Sequence, residues 1–475
     1  MTKSMSLKAG QLATGLALTM VTHSTLAAET PAIAAGAPTK TAAPSSGLLN
    51  DWLRQQSSGF ESWDIGGQAR VRYEVFEDAS PAFPNLDFQK SGVSNDNSYL
   101  WTRERFHVGY KTSWVSFYTE AQNSDSAWDN DPKNPGANSF DLTQAYVKIG
   151  NIKEFPLSLK VGRQELSYGD ERLLGLSDWG NTARNFDAAK IRYEQNGSWV
   201  DAFAGRAVVV DDTRFDEVNP HDWLFGVYGS TTKLVPIQET QLYFLSRNTG
   251  VGGTVTPRDI YSVGARVKSL PGKLKGWDYF GEAVGQFGNV TQDGHRLEQQ
   301  AYAVAFGGGY TWKDVVASPR LGLEYDFSSG DSDPNDGKSE TLDNLFPINH
   351  KHYGLVDIVG WRNMNDVRFS VGLKPHKKLG INLDYHMLWL ADTHDYFYPQ
   401  SGAGRSKNGY ARNSSYDAAL GSEIDLDVTY AVTPWAVLRT GFGHFFTGSY
   451  IDSSKASSGG STDADWAYVQ ATLSF

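Results

Sequence analysis

The feature that most limits how this chain can fold is a long series of segments in which apolar and polar residues alternate. The series runs from about Gly59 to Phe475, and its connections are alternately long and short. In the last segment one face carries Ala467, Val469, Ala471, Leu473 and Phe475, and the other carries Trp466, Tyr468, Gln470, Thr472 and Ser474. A two-residue period is that of a β-strand with one apolar and one polar face. A barrel that crosses a membrane needs this pattern, because lipid surrounds it and its lumen is polar.

Counting the segments predicts the architecture. Eighteen candidate strands fit the pattern, from 62–77 to 463–475. Connections after even-numbered strands are short, and those after odd-numbered strands are long, notably 78–96, 124–138, 166–184, 330–362 and 393–419. A miscount by one would exchange the two classes partway along the chain, and no exchange occurs. The sequence therefore predicts an all-β fold: a transmembrane antiparallel up-and-down β-barrel of about 18 strands, with short periplasmic turns and long extracellular loops.

A soluble β-sandwich or propeller would also have alternating strands, but two further features favour a membrane. The predicted short-turn rim gathers Trp63, Trp114, Trp199, Trp277, Trp312 and Trp435, and indole rings favour the level of the lipid headgroups. The aromatic carboxyl-terminal residue, Phe475, resembles the signal that bacterial outer-membrane assembly machinery reads. We therefore expect the outer membrane of a Gram-negative-type bacterium, with outer-membrane lipid and, through Phe475, that machinery as partners.

The chain also divides by composition. Residues 1–28 have two lysines before an apolar run and small residues at the end, which is typical of a secretory signal peptide and too short for a membrane-spanning helix. Residues 29–59 are rich in Ala, Pro, Thr and Ser and are predicted to be a disordered periplasmic leader, with a short helix possible at 48–53. Residues 60–475 form the predicted barrel.

Composition excludes several kinds of function. The chain has no cysteine, which excludes disulfides, cysteine zinc sites and cysteine nucleophiles. Its formal charge of −11 argues against a nucleic-acid partner. The acidic run 331–337 resembles a calcium loop, but position twelve is Leu342 instead of glutamate. We expect no cofactor and no metal site.

Strand parity predicts which charged side chains face the lumen, because a charge on the lipid side costs up to a few kcal/mol at mid-membrane. The inward set includes Arg70, Arg72, Arg103, Arg105, Lys190, Arg192, Arg266, Lys268, Arg320, Glu324, Asp326, Arg368, Glu423, Asp425 and Arg439. One interpretation is a pore lining that selects solutes by charge. The other is a set of Arg–carboxylate ladders that only hold a polar interior together.

The connection 330–362 is unusual because its second half is apolar. It either folds into the barrel mouth and narrows it, or forms an extra hairpin on the outer rim.

Three stretches resemble a known family. The segments 159–166 (LKVGRQEL), 421–429 (GSEIDLDVT) and 350–363 are similar to those of alginate export proteins, and the resemblance spans about Gly67 to Phe475. It implies an 18-stranded outer-membrane channel, and by analogy places Lys160, Arg163 and Glu423 in or near the pore. Parity, however, puts Arg163 on the outward face of its strand. The family's alginate exporter passes a polyanion through a strongly basic constriction, whereas this lumen mixes arginines with acids.

The predicted function is therefore an outer-membrane channel, and not an enzyme, for saccharides or other polar solutes, including acidic ones. The alternatives are an outer-membrane β-barrel enzyme and a closed structural or adhesive barrel. Sets such as Asp384 with His386, or His444 with nearby acids, could in principle activate water or a serine in such an enzyme. No Ser/His/Asp spacing supports catalysis.

Overall fold

The first and last strands of the chain pair side by side, which closes the sheet into a barrel. In this computed structural model Trp63–Glu77 (β1) and Ala464–Ser474 (β19) form an antiparallel ladder. The structure describes residues 47–90, 95–131, 133, 135–251, 255–292, 294–412 and 415–475. The predicted signal peptide and most of the predicted leader lie outside these ranges.

Within the described ranges, eighteen long strands follow one another around the barrel, each antiparallel to both neighbours. Between β1 and β19 they are β2 (Asn97–Lys111), β3 (Val115–Ala127), β4 (Asn138–Ile149), β5 (Leu157–Gln164), β6 (Phe186–Gln195), β7 (Ser198–Val209), β8 (Glu217–Thr231), β9 (Gln238–Thr249), β10 (Arg258–Ser269), β11 (Trp277–Gln292), β12 (His295–Thr311), β13 (Arg320–Ser328), β15 (Met364–His376), β16 (Leu379–Leu390), β17 (Ala419–Thr433) and β18 (Ala436–Thr447). A two-residue strand, β14 (Lys338–Ser339), pairs in parallel with β12.

The predicted fold class is confirmed, and each of the eighteen predicted segments corresponds to one long strand. The tight turns explain the short connections. Between β6 and β7 only Asn196 and Gly197 intervene, with φ of 51° and 75°. Positive φ at both central residues is what a two-residue hairpin turn of the right twist requires, and Asn-Gly is the pair best suited to it.

The two faces of the strands separate as parity predicts. On β1 the Val71 side chain is 47% exposed on the outside, whereas Arg72 is 0% exposed inside. On β19, Val469 and Leu473 face outward, and Trp466 is buried in the interior. Five of the six rim tryptophans are exposed. Trp199 is only partly exposed because it lies on the inward face of β7 with the buried Asp201, and its ring lies under the Arg192 guanidinium.

In the described residues, two short α-helices lie outside the strands. Helix α1 (Leu48–Gln56) covers the predicted helix 48–53 and precedes β1. Asn50 fixes it, since its Nδ2 donates to Asp64 at 2.7 Å and its Oδ1 accepts from the Ile65 amide at 2.7 Å. Helix α2 (Ser449–Lys455) lies in the loop between β18 and β19. Among the described residues, no helix has the length and apolar character needed to cross a membrane.

The apolar core lies inside the barrel, where two long loops fold inward. We name residues 165–185, between β5 and β6, inner loop 1, and residues 329–363, between β13 and β15, inner loop 2. Their backbones bond to each other, since the Gly175 amide donates to Phe346 O and the Phe346 amide to Leu173 O, both at 2.9 Å. The apolar half of inner loop 2 is buried, including Leu345, Val356, Ile358 and Trp361. Of the two predicted placements, the structure shows the inward one.

Candidate functional site: the barrel lumen

Four arginines on β1 and β2 hold the tip of inner loop 1. Arg70, Arg72, Arg103 and Arg105 form this arginine cluster, and Arg70 lies directly opposite Arg103 in the ladder. Arg103 and Arg105 contact the Asp178 carboxylate at 2.9 and 3.0 Å. Arg70 donates to Asp178 O at 2.9 Å and to Gly180 O at 2.8 Å.

Arg72 is the deepest member of this cluster. Its Nε lies 2.7 Å from Glu74 and its Nη1 donates to Trp179 O at 2.7 Å. Its guanidinium also stacks over the Trp179 ring, 3.9 Å from the ring centroid. The parity prediction therefore places these arginines correctly on the inner wall, but most of their hydrogen bonds go to a loop.

Two acids of β17 hold inner loop 2 in the same way. Glu423 accepts from the Val356 amide at 2.9 Å, and Asp425 accepts from the Leu355 amide at 3.2 Å. Gly354 permits this approach, since a Cβ at that position would lie 2.5 Å from the Glu423 carboxyl group. Glu423 and Asp425 thus lie on the lumen wall as predicted, but the loop covers both of them.

The two inner loops meet in a network of buried charges. Arg172 of inner loop 1 contacts Glu324 at 2.5 Å and Asp326 at 2.8 Å on β13. Asp170 pairs with Arg266 at 2.6 Å, and its backbone oxygen accepts from His352 Nε2 of inner loop 2 at 2.8 Å. Because every one of these groups is buried, removing one partner would leave an uncompensated charge or polar group.

The ionisation of the loop groups follows from their neighbours. Burial tends to raise the pKa of Asp170, but the Arg266 and Lys268 cations outweigh it and lower that pKa. Desolvation inside the barrel tends to raise the pKa of Asp178 as well, although its side chain is open to the lumen, and the Arg103 and Arg105 cations outweigh it and lower that pKa. Burial lowers the pKa of His352 well below its usual range, and the Arg172 and Lys351 cations add to this effect. Asp170 and Asp178 are therefore charged and His352 is neutral at pH 7.

Three lysines form a row nearer the short-turn rim. Lys148 of β4 lies directly opposite Lys160 of β5, which lies directly opposite Lys190 of β6. Lys190 has a carboxylate, Asp201, at 3.7 Å. Lys160 has its Nζ over the Tyr146 ring, 3.6 Å from the centroid. In the part of the chain that the structure describes, Lys148 and Lys160 form no ion pair within 4.0 Å. We call these residues the lysine row.

The remaining predicted cations each have an acidic partner. Arg192 contacts Asp201 at 2.6 Å, Arg320 contacts Asp278 at 2.6 Å, and Arg439 contacts Asp427 at 3.1 Å. Arg368 pairs with Glu324. Arg–carboxylate ladders, the second of the two predicted interpretations, thus account for much of the charged wall.

Arg163 lies on the outward face of β5, the face that its parity gives. Its Nε contacts Asp187 at 2.8 Å, and the same face carries Val161, which is 47% exposed. Arg163 therefore does not line the pore, contrary to the placement that the family resemblance implied, because it shares the outward face of β5 with Val161.

Sequence reasoning missed the loop residues of this site and one lysine. Lys148 was detectable, because it alternates with Val147 and Ile149 on its strand. Asp170, Arg172 and Asp178 were not, since a loop has no parity that tells which way a side chain points. The described residues contain no cluster of three or more His, Asp or Glu side chains suited to a metal ion.

A closed antiparallel barrel with an apolar outer face and a charged lumen defines a transmembrane β-barrel. The family model for alginate export matches residues 62–464, so the chain belongs to the alginate export family. It is an outer-membrane channel of a Gram-negative bacterium, whose short turns face the periplasm. No curated protein matches the chain in sequence.

Solved structures with the same fold are similar over most of their length. They include the outer membrane protein OpdK of Pseudomonas aeruginosa, at 11% identity over 87% of this chain and 99% of that chain, with a TM-score of 0.55. OpdK has also been solved with vanillate. OccAB1 of Acinetobacter baumannii is 10% identical over 87% of this chain and 97% of its own, with a TM-score of 0.55. At these identities the likeness concerns the fold alone.

Proposed function

We propose that this channel passes acidic saccharides or other small polar anions, and that the lysine row selects them. The observation that carries the proposal is the register of Lys148, Lys160 and Lys190. Like charges directly opposite one another destabilise a sheet, and Asp201 offsets only the end of the row. A carboxylate or sulfate passing along the lumen relieves this repulsion. The row therefore attracts anions and repels cations of similar size.

The surroundings of the row suit a polar solute with a ring. Tyr146 lies beneath Lys160 and stacks on Tyr118, with ring centroids 5.3 Å apart. These half-buried rings give a flat apolar surface beside the ammonium groups. Acidic sugars combine a ring with a carboxylate, as does the vanillate bound to OpdK, so both kinds of solute fit this part of the lumen.

Ion selectivity of the refolded protein in a planar bilayer tests the proposal. Under a KCl gradient the native channel should prefer chloride, and sodium glucuronate should block its current. Changing Lys148, Lys160 and Lys190 together to Gln should move the reversal potential toward that of a cation-selective pore and weaken the block.

A matched control removes the same charge outside the lumen. Lys153, Lys273 and Lys407 are exposed on turns and loops, and changing these three to Gln should leave the reversal potential at its native value. Equal shifts in both triple variants would contradict a selective role for the row. A native protein without any conductance would favour the closed structural barrel.

Phe475 remains our proposed contact for the outer-membrane assembly machinery. Its side chain is exposed on the outer face of the periplasmic rim, and its backbone pairs with Gly67.

A further inference from the structure

The Asp178 carboxylate occupies the arginine cluster as a bound anion would. One of its oxygens lies 2.9 Å from Arg103 and 3.0 Å from Arg105, and Arg70 donates to the backbone oxygen of Asp178. The Asp178 side chain is nevertheless 55% exposed to the lumen. The carboxylate of Asp178 is bound by the arginines through one oxygen and is accessible from the lumen, so the carboxylate of a solute can replace it.

The cluster offers more positive charge than Asp178 neutralises. Arg103 and Arg105 both contact this one carboxylate, and Arg70 donates to the backbone oxygen of the same residue. The next acid, Glu120, is 4.0 Å from Arg105. Donors also remain open: Arg70 Nε, Arg103 Nε and Arg105 Nη2 are buried and make no hydrogen bond to another described group. Buried guanidinium donors normally bond to an acceptor. These three N–H groups can therefore donate to the carboxylate oxygens of a solute.

We propose that Arg70, Arg103 and Arg105 form a carboxylate-binding site, that Asp178 is the chain's own stand-in for its ligand, and that the carboxylate of a solute displaces it. This inference rests on the proposed function, because it assumes an acidic solute in the lumen. It adds a site on β1 and β2 that is separate from the lysine row on β4 to β6.

Displacement changes the tip of inner loop 1 and leaves its base in place. The base is anchored independently by Asp170 with Arg266 and by Arg172 with Asp326. The tip is held by Asp178, by Arg70 at two backbone carbonyls and by Arg72 at Trp179 O. A solute that binds the guanidinium groups therefore competes only with the tip of the loop. Its apparent affinity equals its intrinsic affinity multiplied by the fraction of sites that Asp178 leaves empty.

The absence of native cysteine allows a test that needs no ionic current. Asp178→Cys places one thiol at the site and removes the stand-in carboxylate. The thiol is labelled in separate experiments with the anionic reagent 2-sulfonatoethyl methanethiosulfonate and with a cationic methanethiosulfonate. The ratio of the anionic to the cationic labelling rate should be higher for Asp178→Cys than for the control Glu171→Cys in the same loop. We expect the ratio of the two rates to differ between these positions by about tenfold, as the local positive potential requires.

Protection by a defined anion completes the test. Sodium glucuronate should slow the labelling of Cys introduced at 178, whereas sodium chloride at equal ionic strength should not. Adding Arg103→Gln should abolish this protection. No protection by glucuronate, or equal protection at position 171, would overturn the proposed site.

Competition is measured separately on the channel current. Asp178→Asn keeps the shape of the side chain and should lower the half-blocking glucuronate concentration by about tenfold, which is the gain if the stand-in fills nine sites in ten. Glu171→Gln removes the same charge from the same loop and should leave that concentration unchanged. An unchanged value in Asp178→Asn would contradict the stand-in role.

The two proposals fail in different ways. If the lysine row does not select anions, substituting its three lysines leaves the reversal potential unchanged, while glucuronate still protects the cysteine at position 178. If the arginines do not bind carboxylates, glucuronate does not protect the cysteine at position 178, while substituting the lysine row still shifts the reversal potential.

Discussion

Arg172 Nη1 donates a hydrogen bond of 2.7 Å to Tyr353 Oη in the middle of the barrel, and so joins two loops that lie 181 residues apart in the chain. The same guanidinium contacts Glu324 and Asp326 on β13. One side chain thus ties inner loop 1, inner loop 2 and the barrel wall together.

Replacing Arg172 with Met should cost about 3–5 kcal/mol of unfolding free energy, since it leaves Asp326 buried without its cation. Urea unfolding in detergent, followed by the gel shift between folded and unfolded barrel, measures this loss. Tyr353→Phe removes only the hydroxyl acceptor and should cost about 1 kcal/mol. Equal losses in the two variants would mean that the ion pairs add nothing to the hydrogen bond.

Gly354→Ala should release inner loop 2 from β17. Gly354 has φ of +91° and its Cβ would lie 2.5 Å from the Glu423 carboxyl group, whereas Gly337 in the same loop has φ of +84° and open space around it. Both Ala variants pay about 1 kcal/mol for the backbone conformation, but only Gly354→Ala meets an obstacle. Trypsin should therefore cleave after Lys351 faster in Gly354→Ala than in Gly337→Ala. Similar cleavage rates would show that the close approach of Gly354 to Glu423 does not hold inner loop 2 on β17.

Acid should loosen the contact between the inner loops. The pKa of docked His352 lies well below its usual range because of burial and the nearby Arg172 and Lys351 cations. An undocked histidine titrates near pH 6.5, so docking is fully favoured above that pH. Below it, docking weakens by about 1.4 kcal/mol per pH unit.

Hydrogen exchange of the amides around His352 at pH 7.5 and pH 5, corrected for intrinsic rates, measures this loosening. His352→Gln keeps a donor for Asp170 O and has no charge to gain. Its exchange should therefore lack the pH-dependent part, and a native-like dependence in this variant would assign the effect to another group.

Asp201→Asn should make the channel more anion-selective. Asp201 is fully buried and neutralises Arg192 and Lys190, at 2.6 and 3.7 Å. Asparagine has the same shape and can still accept from the Tyr168 hydroxyl, which contacts Asp201 at 2.7 Å. The substitution thus adds one net positive charge beside the lysine row, and the reversal potential should move further toward that of chloride. Asp333→Asn, on an exposed loop, is the matched control and should have no effect.

Parity was sufficient to predict the wall of the barrel. It placed Arg70 inside and Val71 outside, and it gave Arg163 the outward face that the structure shows. It was not sufficient to predict what the inward groups do. Arg103 and Glu423 were predicted from parity or family resemblance as lumenal residues, yet each holds a loop that enters from far along the chain.

The sequence alone determined the apolar outer face and the charged interior of the barrel, because both follow from a local two-residue period imposed by lipid on one side. It also determined the strand number, through the alternation of long and short connections, and the closure of the barrel, since lipid tolerates no open sheet edge. The tertiary structure decided which charges meet. Asp178 reaches Arg103 across 75 residues, and Arg172 reaches Glu324 across 152. Such contacts depend on where irregular loops turn inside the lumen, and no period in the sequence records the direction of a loop side chain.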